Sequence, residues 1–133
     1  MDANAVGREY PDGFGYKRLG HLPNQSLGTA GDTVVSMQDG NKYIVRAITL
    51  SNFSGDASAA DVGLHTAAAA GGTDVADTQT ISGADNTSAY VNLTLSAAAN
   101  ANVFTASALY FNVNAAVTGI TCDVSVYGDI VTL

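Results

Sequence analysis

The side chains able to do chemistry are few in this chain of 133 residues: two histidines, His21 and His65, one cysteine, Cys122, one glutamate, Glu9, and eleven aspartates. General acid–base catalysis calls for paired carboxylates or a histidine held by an acid. Glu9 lies among glycines and prolines near the start, and most aspartates stand in turn sequences, where Asp caps its own backbone. A nucleophilic triad would have to use His21 or His65, and no G-x-S-x-G turn is present to raise a serine. Two histidines, one cysteine and no H-E-x-x-H do not make a tetrahedral zinc set. Asp74 and Asp77 in "GGTDVADT" and Asp85 in "SGADNTS" would offer oxygen ligands to calcium, but the spacing matches no D-x-[DN]-x-[DN]-G loop. "GFGYKRLG" is rich in glycine, yet no strand pattern precedes it and no helix pattern follows, so it is no phosphate cradle. The reading is therefore of a protein that is not an enzyme and that takes no cofactor and no metal.

Charge narrows the partners. All five basic residues, Arg8, Lys17, Arg18, Lys42 and Arg46, fall in the first 46 positions, while residues 47–133 carry seven aspartates and no Lys or Arg. A formal net charge of −7 repels phosphate backbones, which excludes nucleic acid, and an anionic membrane surface, as partners. The pair Lys17–Arg18 is too small for a nucleic-acid footprint but sufficient to dock on a carboxylate-rich protein. The first ten residues hold no apolar run of signal-peptide length, so synthesis in the cytoplasm is expected. Cys122 alternates with Val124 and Val126, as a buried free thiol would.

The positions that must carry these residues divide in two. Residues 1–30 hold both prolines, Pro11 and Pro23, and glycines at 7, 13, 15, 20 and 28, which defeat the helical and the strand period alike; they read as an extended N-terminal arm. From residue 31 the hydrophobic period is two. "YIVRAITL" puts Ile44, Ile48 and Leu50 inward with Tyr43 and Thr49 outward; "DVGLHT" puts Val62 and Leu64 inward with His65 outward and solvated; "YVNLTL", "SALYFNVN" and "CDVSVYGDI" alternate in the same way. "TVVSM", "QTIS" and "NVFT" are weaker strands, and "SAAANAN" allows one helical turn. About eight short antiparallel strands separated by turn clusters predict an all-β domain over residues 31–133, a single jelly-roll-like β-sandwich.

The segments "KYIVRAITLSNFSG", "VGLHTAAAAGGTDV", "LYFNVN" and "ITCDVSVYGDIV" together resemble virion structural proteins of tailed bacteriophages, over roughly residues 40–133. The resemblance implies a capsid decoration, or cement, protein: a β-sandwich on the capsid exterior that binds the major capsid protein, associates with itself as a homotrimer or a dimer, and clamps the lattice. The expected capsid or inter-subunit contacts are Tyr10, Phe14, Tyr16, Lys17, Arg18 and Leu19, because aromatic and Arg side chains make the strongest interface anchors. The alternative is a tail-fibre or receptor- and glycan-binding head, in which Tyr43, Tyr90, Tyr110 and Tyr127 stack on sugars.

Overall fold

The computed structural model describes residues 17–37, 42–85 and 89–131. Eight strands run through them: β1 (Lys17–Ser26), β2 (Gly31–Ser36), β3 (Lys42–Ser51), β4 (Asp61–Ala67), β5 (Gly71–Thr80), β6 (Tyr90–Asn92), β7 (Ala108–Ala115) and β8 (Thr121–Val131). They form two antiparallel sheets of four, in the orders β1–β8–β3–β6 and β2–β7–β4–β5. The pairs β4/β5, β3/β6, β2/β7 and β1/β8 are nested hairpins, one inside the next, and β8/β3 and β7/β4 join them side by side. That is a jelly roll, two interlocked Greek keys closing over one core.

The core is the sum of the alternating faces. Leu109, Phe111 and Val113 of β7, Val62 and Leu64 of β4, Ile48 and Leu50 of β3, and Cys122, Val124 and Val126 of β8 are all essentially without solvent contact. Each large apolar side chain removed from water in this way contributes about 1.5–3 kcal/mol. The Cys122 thiol is buried among them, and desolvation, helped by neighbouring Asp123, pushes its pKa up to about 12.

The arm is shorter than the first 30 residues. Lys17–Ser26 is a strand of the sandwich, and Leu27 after it is fully buried, its carbonyl accepting from Val117 N–H at 2.7 Å. The boundary at 31 is thus corrected to include these residues. Sequence pattern conceals β1 because its pairing with β8 breaks twice, between Arg18 and Gly20 and between Leu22 and Gln25. The second break holds Pro23 and Asn24, the latter at φ 51°, with Asn24 N–H donating to Asp123 Oδ1 at 2.8 Å. A proline is tolerated here because β1 is an edge strand with only one partner.

A second bulge reverses the reading of β3. The register with β8 shifts between Val45 and Ala47, so Tyr43 and Val45 face the core as Ile48 and Leu50 do, and Ile44 is only half-buried. Tyr43, expected outward, is 1 % exposed; its ring stacks near Phe104 at 6.0 Å and its hydroxyl donates to the Ala106 carbonyl at 2.7 Å. The strand in "YVNLTL" ends at Asn92, followed by one more bond from Leu93 N–H to the Ile48 carbonyl at 2.9 Å, and from Thr94 the chain bonds to Gln79 of β5 instead. "NVFT" contributes one isolated bridge, Tyr43 to Phe104, and "SAAANAN" is a turn. "GGTDVADT", expected as a loop, is most of β5.

Candidate functional site

Of the expected contact residues, Lys17 and Arg18 are exposed at the start of β1, and neither has an ion-pair partner among the described residues. Leu19 is corrected: it is 3 % exposed and packs in the core, so it is not available to a partner. The break in pairing between Arg18 and Gly20 is the reason, since Arg18 stays exposed beside Tyr127 while Leu19 and Gly20 are both buried. Tyr10, Phe14 and Tyr16 lie outside the described residues.

The aspartates expected in loops come together with His65 on the outer face of the β2–β7–β4–β5 sheet. His65 is on the outward side of β4 as expected, but it is not solvated: the residue is 2 % exposed. Its Nδ1 lies 2.7 Å from Asp74 Oδ1 on β5. Gly63, two residues back on the same face, makes room for the ring; a Cβ at Gly63 would sit 2.8 Å from His65 Nε2. Nε2 is buried and has no hydrogen-bond partner among the described residues. Histidine held by aspartate is the arrangement that orients a catalytic base. Here the nitrogen that would take the proton is buried over Gly63. The pair orders the face of the sheet.

Asp74 and Asp77 flank a bulge in β5, where Val75 and Ala76 are both buried, so their carboxyls emerge on the same side and perturb each other's titration. The hydrogen bond from His65, then that from Asp77, holds Asp74 below the usual carboxylate range, and the contact with Asp74 raises Asp77. Two signs follow. Asp74 contributes stability above its unfolded value near 3.8 that is lost as pH falls below it; Asp77 contributes stability at acid pH that is lost as pH rises through its elevated folded value. Asp77→Asn removes the negative charge beside Asp74 and offers an amide donor at every pH. We expect this variant to melt a few degrees above the parent at pH 7 and to match it near pH 4, a comparison made by thermal denaturation at the two pH values.

Asp32 on β2 completes the polar rim of this face. Its carboxylate accepts from Ala69 N–H at 2.7 Å and from Asn112 Nδ2 at 2.9 Å, and those two bonds, in that order, lower its pKa. It thereby ties the β4–β5 turn, where Ala69 and Ala70 both sit at φ 57°, to the opposite edge of the sheet. Among the described residues no three His, Cys, Asp or Glu side chains stand close enough together to hold a metal ion. Asp74 and Asp77 are strand residues, which corrects their reading as loop ligands.

Elsewhere the surface offers a shallow cleft of about 350 Å³, lined by Thr66, Thr73, Asn102, Val103, Phe104, Thr105 and Ala106. Hydroxyls and an amide line it, and no ionisable side chain does. His21 is half-buried, with Nδ1 3.0 Å from Ser125 Oγ on the neighbouring strand. Of the tyrosines expected to stack on ligands, Tyr43 is in the core, Tyr110 and Tyr127 are partly buried on opposite outer faces, and Tyr90 alone is well exposed, at 60 %. No described helix is long and apolar enough to cross a membrane. Comparison with protein-family models, with curated proteins and with solved structures finds no match.

Proposed function

We propose that this chain is a non-enzymatic virion protein that binds the outer surface of a tailed-phage capsid through the major capsid protein and stabilises the lattice. The observation that carries the reading is the cationic pair Lys17–Arg18, exposed and unpaired among the described residues at the point where the N-terminal segment joins β1. Cations without an internal partner stabilise nothing within the domain and are free to meet carboxylates elsewhere. The rest of the fold supports it. The jelly roll is a closed sandwich in which the His65 ring is buried on the outer face against Asp74, and the same architecture serves capsids and lectins. Tyr10, Phe14 and Tyr16, which precede the pair, are the aromatic part of the proposed grip.

Capsids prepared without the protein, mixed with the full chain and sedimented, test this. We expect saturable binding that weakens as salt rises from 50 mM to about 500 mM, since screening shortens the reach of exposed charges. Lys17→Glu is expected to lower the affinity roughly tenfold, the effect of about 1.4 kcal/mol. Binding indifferent to both salt and Lys17→Glu would contradict the charged anchor.

A second reading rests on the cleft beside Thr66 and Thr73. Its neutral hydrogen-bonding lining suits a polyol, so a receptor- or glycan-binding head is the alternative. Saturable binding of the full chain to an immobilised neutral glycan, lost on Thr73→Val, would favour that alternative over the capsid.

A further inference from the structure

Charge is sorted between the two sheets. The four described cations, Lys17 and Arg18 on β1 and Lys42 and Arg46 on β3, all belong to the β1–β8–β3–β6 sheet, where Asp123 and Asp129 are the strand carboxylates. The β2–β7–β4–β5 sheet carries Asp32, Asp61, Asp74 and Asp77 and no Lys or Arg. A sandwich with one cationic and one anionic broad side is complementary to another copy of itself.

The outer rows of the two sheets match in order. On the first, Arg18, Tyr127 and Ala47 are cross-strand neighbours on β1, β8 and β3, and Arg46 beside them is held by Asp129 at 2.9 Å. On the second, Val34, Tyr110, His65 and Asp74 follow one another across β2, β7, β4 and β5. Val34 is 47 % exposed, unusual for a side chain of its kind on a strand. With strands about 4.8 Å apart, Arg18 to Ala47 covers two spacings and Asp74 to Val34 three, and the long Arg side chain spans the extra one. Laid face to face with tyrosine over tyrosine and Ala47 over Val34, the row sets Arg18 over His65, from where its side chain reaches one strand further to Asp74.

We infer that the outer face of the β2–β7–β4–β5 sheet is the docking surface for the β1–β8–β3–β6 face of a second copy of this chain, with Arg18 of one copy lying against Asp74 and Asp77 of the next. Two carboxyls held in contact and open to solvent favour a cation between them, and the planar guanidinium of Arg, with its paired donors, fits a pair of carboxylates better than an ammonium does. Docking supplies a cation that offsets the repulsion between the two carboxylates. The contact joins different surfaces of the two copies, so it is head-to-tail: it closes into a ring where the rotation between copies permits and otherwise runs on as a string. Arg18 is then the copy-to-copy contact and Lys17 the capsid contact, so either can fail without the other.

The test is the mass of the full chain in solution, by analytical ultracentrifugation at about 100 µM in low and in high salt. Assembly at low salt that falls back to monomer at high salt is expected. Arg18→Glu and Asp77→Lys are each expected to weaken assembly at least tenfold. A one-to-one mixture of the two is expected to assemble, because the first keeps an intact acidic face and the second an intact cationic one. The faces left over carry the two reversed charges, again opposite in sign, so assembly of the mixture is expected to run on past two copies, while each variant alone does not assemble. Arg18→Ala and Asp77→Ala, which add no new charge, give the same loss should either reversal fail to fold, as judged by circular dichroism. A wild-type chain that stays monomeric at low salt, variants that assemble as the parent does, or a mixture that stays monomeric would overturn the inference.

Discussion

Gly128→Ala is expected to lower the melting temperature by about 10 °C, corresponding to roughly 3 kcal/mol, in a thermal unfolding scan followed by circular dichroism. Gly128 stands on β8 opposite the bulge of β3, pairing with Val45 just before the register shifts to Ala47. A Cβ there would collide with the Ile44 carbonyl oxygen and crowd Leu19 Cδ1 at 3.0 Å. The oxygen is main-chain and belongs to a central strand, so it cannot swing aside as a side-chain tip would. Accommodating the methyl group means opening β3 from β8 along the middle of the sheet, and with it the packing of Leu19 from β1. A shift of under 2 °C would show that the bulge is not held in this form.

Tyr43→Ala is expected to be as severe or worse, about 3–5 kcal/mol, because it removes a fully buried aromatic ring and leaves a cavity against Phe104. Tyr43→Phe separates the ring from its hydroxyl. Losing the donor to the Ala106 carbonyl is expected to cost only about 1 kcal/mol. The phenol also leaves a signature in pH. Burial raises the Tyr43 pKa from 10.0 to about 12, so the folded state resists its ionisation; the corresponding stability is intact below pH 10 and is lost as pH rises toward 12. Cys122, raised from 9.0 to about 12, adds a loss that begins lower. Alkaline unfolding should therefore be steep in the wild type and shallower in Tyr43→Phe. Identical alkaline profiles for the two proteins would place Tyr43 in water, against the structure.

These two positions also show why the sequence was readable in some places and not in others. Strands with unbroken alternation, such as Leu109–Phe111–Val113 and Cys122–Val124–Val126, announce both their type and their inward face, and with enough of them the sandwich follows. A bulge inserts one residue and exchanges the two faces, which is why Tyr43 seemed exposed and Ile44 buried. Nothing in "YIVRAITL" marks the bulge; the signal lies eighty residues away in the glycine that faces it. Strand β1 was hidden by the same device used twice, with Pro23 and Asn24 at the second break.

The polar cluster of the second sheet was legible only in part. His65 was correctly set on the outer side of β4, but its burial depends on Gly63 next to it in the strand and on Asp74 across the hairpin. Asp74 and Asp77 were visible as a pair, read as loop residues because they follow the turn-like Gly71–Gly72; at a spacing of three a regular strand would put them on opposite faces. The bulge that buries both Val75 and Ala76 brings them back to one side. The sorting of charge between sheets was half-visible, since the confinement of every cation to the first 46 residues is plain in the sequence. What turns that into a face is the strand order, which sends β1 and β3 to one sheet and β2 to the other.

The binding claim is tested most directly by imaging. Capsids that lack the protein would be saturated with the full chain and their electron cryomicroscopy reconstruction compared with that of bare capsids. Ordered added density on the outer surface, following the lattice and fitting the eight-stranded sandwich with the start of β1 toward the capsid, is the result expected. Reconstructions that are the same with and without the protein would contradict a role on the capsid exterior.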